Sequence, residues 1–105
     1  MDKVPNKIKE LIRKLIVEAE KNKIHILEAF LFGSYANGTF NEYSDIDLAL
    51  ISEDFEGIRF NDNMKLMRSI LNISSDFETH PFRPSDFTPD NPFVAEILKK
   101  GIRVY

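Results

Sequence analysis

The residues most suited to chemistry are two carboxylates, Asp45 and Asp47. They lie at the start of an apolar segment, in Asp45-Ile46-Asp47 followed by Leu48-Ala49-Leu50-Ile51. Because side chains alternate along a strand, Asp45 and Asp47 should lie on one face. Two ionised carboxylates so close repel each other, and a divalent cation relieves that repulsion. Oxygen ligands, with no nearby cysteine and no histidine at ligand spacing, favour Mg²⁺ or Mn²⁺ over zinc. Asp-x-Asp also occurs in turns, so the pair alone leaves its role open.

A Gly-Ser pair, Gly33-Ser34, precedes these carboxylates and follows the apolar run Ala29-Phe30-Leu31-Phe32. A glycine after a buried strand lets the backbone approach a ligand closely, and the N–H groups that open the next helix attract anions. The pair therefore predicts a phosphate cradle, with a simple turn capped by Ser34 as the alternative. A magnesium nucleoside triphosphate needs both an anion site and a cation site, so the combination favours a nucleotide. The P-loop and Gly-x-Gly-x-x-Gly patterns do not occur.

The elements that must position these residues can be predicted from the spacing of apolar residues. A stripe with helical periodicity predicts a first helix from about Asn6 to Lys21. The segment from Ile24 to Phe32, stopped by Gly33, predicts a buried strand, and a second strand should run from Asp45 or Ile46 to Ser52. The residues between the two strands allow a turn and one or two helical turns.

The second half of the chain predicts two more helices and two short strands. A third helix, with its apolar residues in the core, is indicated by Met64, Leu66, Met67, Ile70 and Leu71. Residues 76–82 predict a short strand, ended by prolines at 81 and 84. The last helix should start at Asn91-Pro92 and end at Gly101, with Phe93, Ile97 and Leu98 on its apolar face. Residues 102–105 predict an edge strand.

This order of elements predicts a single domain over residues 1–105 with an α/β fold, in which helices flank a small mixed β-sheet. The net charge of −3 argues against a general nucleic-acid binder. The absence of cysteine and of a long apolar segment, including at Met1-Asp2-Lys3-Val4-Pro5, predicts a soluble cytoplasmic protein without membrane contact. Residues 41–62 hold seven acidic groups and only one basic group. Such a run is typical of a cation site or of a solvated acidic face.

Gly33-Ser34, ten further residues and Asp45-x-Asp47 between two apolar strands resemble the signature of the minimal nucleotidyltransferases, the smallest members of the DNA polymerase β superfamily. The resemblance is strongest over residues 32–51, and the order of elements extends it over essentially the whole chain. It implies the nucleotidyltransferase fold and transfer of a nucleoside monophosphate, with AMP from ATP expected, to a hydroxyl group. It also implies Mg²⁺ as cofactor, with up to two ions and Mn²⁺ as a substitute.

The resemblance implies a third carboxylate on the next core strand, for which Asp76 and Glu78 are the candidates. Glu78 is preferred because it lies deeper in the predicted strand, whereas Asp76 follows two serines and suits a turn. Asp45, Asp47 and Glu78 are thus the expected catalytic and metal-binding residues, and Gly33 and Ser34 the expected nucleotide-binding residues. His80, beside the third carboxylate, is expected to be structural.

The acceptor is expected on a partner protein, because a chain this small has little surface with which to enclose it. Minimal nucleotidyltransferases that resemble the sequence near residues 78–82 and 91–93 are often antitoxins paired with a HEPN-domain ribonuclease toxin. The resemblance therefore implies an antitoxin that forms a hetero-oligomer with such a toxin and attaches AMP to a tyrosine. The alternative is a weak or inactive binding module that acts by contact. Asn37, where many relatives carry arginine, favours the binding module, while the retained Gly-Ser and Asp-x-Asp pairs favour the enzyme.

Overall fold

Four strands form one mixed sheet in the order β3-β2-β1-β4 in the computed structural model. The structure describes residues 4–105. The expectation that Met1-Asp2-Lys3 begins no long apolar segment falls on residues outside this range. The elements are α1 (Asn6–Lys21), β1 (Glu28–Phe32), α2 (Ser34–Asn37), β2 (Ile46–Ile51), α3 (Arg59–Ile73), β3 (Phe77–Phe82), a 3-10 turn (Pro84–Asp86), α4 (Pro92–Lys100) and β4 (Ile102–Arg103). The predicted mixed α/β fold is confirmed.

Strand β2 is central and sets the geometry around Asp47. It pairs antiparallel with β1 and parallel with β3. In this register Asp47 lies opposite Phe32 on one side and opposite Glu78 on the other. Two residues that are far apart in the sequence, Asp47 and Glu78, are therefore neighbours on adjacent strands.

The sheet has an apolar cluster on each face. Leu48 and Leu50 pack with the buried stripe of α1 and with α3 in the larger cluster. Ala49 and Ile51 pack instead with Ile97 of α4 in a smaller cluster. Because side chains alternate, Asp47 shares the face of Ala49 and Ile51. The carboxylate of Asp47 therefore lies on the α4 side of the sheet.

Helix α3 differs from its prediction in the face that it buries. Met64, Met67 and Leu71 are 55%, 40% and 69% exposed. The buried residues of this helix are Asp62, Leu66, Ser69 and Ile70. The Asp62 carboxylate accepts backbone hydrogen bonds from Glu56 (2.7 Å) and Gly57 (2.9 Å), and these bonds turn a polar residue inward. Leu66 and Ile70 are buried as predicted, but the prediction that Met64, Met67 and Leu71 lie in the core was wrong, because the buried side of the helix includes Asp62 and Ser69 instead.

Other differences are local. Strand β1 begins at Glu28, and the buried Ile24 and Ile26 precede it. Pro81 lies within β3 instead of ending it, since an edge strand tolerates a residue that lacks an N–H group. On α4, Asn91 caps the helix by accepting a hydrogen bond from the Phe93 N–H (2.9 Å). Val94 and Ile97 are buried there, whereas Phe93 and Leu98 are half-exposed.

Within residues 4–105, no helix combines the length and the apolar character that a membrane crossing requires.

Candidate active site

The turn after β1 brings the backbone of Gly33 against the carboxylate of Asp47. Gly33 has φ +73°, a conformation that favours glycine, and α2 begins at the next residue. A Cβ atom added to Gly33 would lie 3.1 Å from Asp47 Cγ and would overlap Asp47 Oδ2. Glycine is therefore required here by both its backbone angle and its contact. The predicted phosphate cradle and one of the predicted metal ligands touch each other.

Asp47 and Glu78 form the centre of an acidic cluster. Asp47, Glu78 and His80 each offer a ligand atom, and these atoms all lie within 4.8 Å of one another. The pKa of Asp47 is raised to about 6 by burial first, then by the hydrogen bond and the charge of Glu78, and last by the charge of Asp45. The site therefore holds more negative charge than its protein surroundings compensate.

Asp45 lies just before β2 with an exposed side chain, at the margin of this cluster. Its charge acts on Asp47, but its carboxylate is not one of the three clustered ligands. Asp76 is also exposed and sits at the turn before β3. Its N–H donates to the Ser74 hydroxyl (3.1 Å), and its carbonyl accepts from Ile46 N–H (2.8 Å). The structure thus joins Asp47 to Glu78, places Asp45 beside them and places Asp76 in a turn.

His80 belongs to the site as well as to the packing around it. Its ring is 5.1 Å from that of Phe32 and 5.3 Å from that of Phe93, and the residue is only 9% exposed. Its Nδ1 accepts from Arg59 Nη2 at 3.0 Å. Burial and, next, the charge of Arg59 lower the pKa of His80, which favours the neutral ring. The sequence placed His80 beside the third carboxylate and predicted a structural role; the structure adds its proximity to Asp47 and its contact with Arg59.

Arg59 was not singled out in the sequence, since a basic residue at a helix start gives no signal of its own. His80 did give a signal in the sequence, because residues two apart on one strand point to the same face, and His80 follows Glu78 by two residues.

The residues present fit a divalent cation. Carboxylate oxygens are the donors that Mg²⁺ and Mn²⁺ prefer, and Asp47 and Glu78 bring them together with Asp45 nearby. A bound cation would neutralise the charge that raises the pKa of Asp47. The cluster is therefore a candidate metal centre.

The model of the polymerase beta nucleotidyltransferase family matches residues 7–105. The chain belongs to this family. This match confirms the predicted nucleotidyltransferase family and enzyme class, and it covers every residue of the acidic cluster.

A curated relative from Methanocaldococcus jannaschii is provisionally named a protein adenylyltransferase. It is 44% identical over 46 residues, which make up 44% of this chain. The matched part spans 31% of that protein's length.

Three solved structures share the fold. A provisionally named nucleotidyltransferase from Sulfolobus solfataricus has a TM-score of 0.66 at 17% identity, over 92% of this chain and 78% of that one. A toxin-antitoxin structure with AMP-PNP has a TM-score of 0.57 at 22% identity, over 92% and 72%. A mutant of the MntA-HpeT toxin-antitoxin pair has a TM-score of 0.50 at 22% identity, over 95% and 71%. At these identities the three structures establish the fold alone.

We expect Gly33→Ala to lower the free energy of unfolding by roughly 1–3 kcal/mol and to weaken MgATP binding, because the added methyl group strains the backbone and displaces Asp47. Gly38→Ala is the matched control, since Gly38 also has a positive φ (+80°) but its added Cβ would meet no atom within 4 Å. Urea unfolding and calorimetric titration with MgATP measure both effects. If the two variants lose equal stability and both bind MgATP like wild type, Gly33 has no role beyond its backbone angle.

Proposed function

We propose that this protein transfers AMP from ATP to a hydroxyl group of a partner protein, and that it acts as the antitoxin of a HEPN-domain ribonuclease toxin. The observation that carries the proposal is the contact of the Gly33 turn with Asp47, which is itself joined to Glu78. A nucleoside triphosphate needs an anion site next to a cation site, and this contact supports the proposal that the Gly33 turn serves as the first and Asp47 as part of the second.

In this proposal the Gly33 turn and the Ser34 hydroxyl hold the β- and γ-phosphates. Lys100 lines a cavity of about 160 Å³ with Gly33 and Asn37, and in this proposal it would supply a positive charge that Asn37 lacks. Lys100 pairs with Glu96 at 3.1 Å on the exposed surface. Exposed pairs of this kind are weak, so Lys100 can exchange this partner for a phosphate.

Asp45, Asp47 and Glu78 are the residues that would hold one or two Mg²⁺ ions, with Mn²⁺ as a substitute. When bound, the metal supplies positive charge against the phosphates. The acceptor oxygen forms a bond to the α-phosphorus while the bond from that phosphorus to the β-bridging oxygen breaks, and pyrophosphate leaves. The hydroxyl proton passes to the Glu78 carboxylate and then to solvent.

The order of groups across the sheet defines the side from which each substrate would arrive. Gly33 follows β1, Asp47 lies on the central strand β2, and Glu78 lies on the edge strand β3. In-line displacement needs the attacking and leaving oxygens on opposite sides of the α-phosphorus. The triphosphate would therefore lie on the β1 side, and the acceptor would approach over β3.

The choice of a protein acceptor is supported by the names of the similar proteins. The Methanocaldococcus jannaschii relative is provisionally named a protein adenylyltransferase, and two of the structural neighbours are toxin-antitoxin assemblies. The open edge at β3 also supports it, since no strand among residues 4–105 pairs with that strand's outer side. AMP attached near a ribonuclease site would repel RNA phosphates by its charge.

Co-expression with a HEPN-domain toxin tests this function. We expect protection of the cells and a gain of one or more adenylyl masses on the toxin, both abolished by Asp45→Asn. Glu53→Gln is the control, because Glu53 is an exposed member of the same acidic run outside the candidate site. Protection that persists in Asp45→Asn without a gain of mass would show that contact alone silences the toxin, as the alternative of a binding module requires.

A further inference from the structure

Helix α3 carries an apolar stripe on its outward side, which we call the α3 stripe. It consists of Phe60, Met64, Met67 and Leu71, which are 73%, 55%, 40% and 69% exposed. Their spacing of four, three and four residues keeps them on one side of the helix over about 16 Å. An exposed row with this periodicity is typical of a surface that packs against a helix of another protein.

The exposed charges of α3 are all basic. The single acidic residue of this helix, Asp62, is fully buried, while Arg59, Lys65 and Arg68 are exposed. Lys65 pairs with Glu56 at 3.3 Å. Across residues 4–105, neither Arg59 nor Arg68 forms an ion pair with a carboxylate. These two cations complement an acidic partner.

The same charges disfavour a second copy of this chain as the occupant. Pairing α3 with α3 would place the arginines of two copies on one interface, and α3 exposes no carboxylate to compensate them. Like charges placed together at an interface oppose association. The surface therefore selects a partner with apolar and acidic residues.

A groove connects the α3 stripe to the acidic cluster. It has a volume of about 420 Å³ and lies between α3 and the edge strand β3. Met67 and Leu71 of the stripe line it on one side, and Glu78 lines it on the other. A helix seated on the stripe would thus lie beside the side chain that faces the acceptor in the proposed reaction.

We propose that the α3 stripe and this groove form the docking surface for the acceptor protein, which binds there through an acidic amphipathic helix. The identification of the occupant as the acceptor rests on the proposed function, whereas the docking surface itself does not depend on nucleotide transfer.

The test uses methyl NMR, because two of the three methionines in the chain, Met64 and Met67, lie in the stripe. The probe is a synthetic helical peptide with leucine on one face and glutamate on the other, and the control peptide has lysine in place of glutamate. We expect the acidic peptide to shift the Met64 and Met67 signals, and the lysine peptide to leave both signals unchanged. Met67→Glu, which removes an apolar contact and repels the glutamates of the peptide, should weaken binding of the acidic peptide by at least about tenfold, which corresponds to about 1.4 kcal/mol.

Val17→Glu is the matched control variant, because Val17 on α1 is 43% exposed, close to the 40% of Met67. It should bind the acidic peptide like wild type. Equal shifts with both peptides, no shift with either, or equal losses in the two variants would overturn the docking surface. Signals that change with protein concentration alone would show that a second copy occupies the stripe and would also overturn it.

The proposed function can fail separately. If the acidic peptide binds the stripe but no co-expressed HEPN toxin gains adenylyl mass, the docking surface stands and the transfer proposal falls. If the toxin gains mass equally with wild type and with Met67→Glu, the transfer stands and the stripe is not the acceptor's docking surface.

Discussion

Asp47→Asn is expected to reduce the proposed AMP transfer by about a thousandfold or more, equivalent to about 4 kcal/mol of transition-state stabilisation. Asp47 is the residue at which the Gly33 turn, Glu78 and the charge of Asp45 meet. Its amide replacement keeps the shape of the side chain but removes the charge that a divalent cation needs. Single-turnover transfer measured with saturating MgATP gives the size of the loss. A variant that retains wild-type transfer would remove Asp47 from the chemistry.

The same substitution should change the dependence of stability on pH. The pKa of Asp47 is raised from 3.8 to about 6, so the native state holds this proton more tightly than the unfolded state. The stability of the metal-free protein should therefore fall as pH rises through this interval, and the full loss should be present above it. An asparagine side chain carries no charge, so the Asp47→Asn variant should be more stable than wild type at about pH 8 by about 1 kcal/mol, a value reduced for solvent screening of a partly buried group.

Urea unfolding at about pH 5 and about pH 8, with and without Mg²⁺, measures this effect. Mg²⁺ should stabilise the wild type at the higher pH and have a smaller effect on Asp47→Asn. If stability depends on pH in the same way in wild type and variant, folding does not raise the pKa of Asp47.

Glu78→Gln is expected to lower transfer by about a hundredfold to ten-thousandfold, the range typical of a lost general base. Asp76→Asn is the matched control, since both carboxylates belong to one segment and only Glu78 lies in the cluster with Asp47. Asp76→Asn should retain most of the activity, because Asp76 makes its contacts through backbone atoms at a turn. Transfer rates for the two variants at the same MgATP concentration decide between the residues. A larger loss in Asp76→Asn would make Asp76 the third carboxylate.

The sequence predicted correctly those structural features that depend on residues close to one another in the chain. The first helix was predicted over the residues that it occupies, because its apolar stripe is uninterrupted. The cap at Asn91 and the end of α4 at Gly101 follow from residues adjacent to those positions. These features depend on interactions within a few residues of one another.

The remainder depended on contacts that the sequence does not encode locally. The buried face of α3 was predicted incorrectly, because the carboxylate of Asp62 is held inside by two backbone N–H groups of the preceding loop. The position of Arg59 against His80 requires α3 and β3 to meet, which follows from packing alone. The proximity of Asp47 to Glu78 was expected from the family resemblance and not from local pattern, because it requires the parallel pairing of β2 with β3, which joins residues far apart in the chain. The alternation of side chains along each strand predicts which of them share a face of the sheet. The order of the strands in the sheet decides which of these side chains are neighbours.

The fate of each phosphate of ATP tests the central claim most directly. The purified protein is incubated with the proposed partner, a HEPN-domain toxin, and with ATP that carries radioactive phosphorus at either the α or the γ position. The account predicts that the α label becomes covalently attached to the partner, that the γ label leaves in pyrophosphate, and that both events disappear in Asp47→Asn. Attachment of the γ label would indicate phosphate transfer instead. If neither label becomes attached, although co-expression of the same protein protects cells from the toxin, the proposal that this protein silences the toxin by AMP transfer is contradicted.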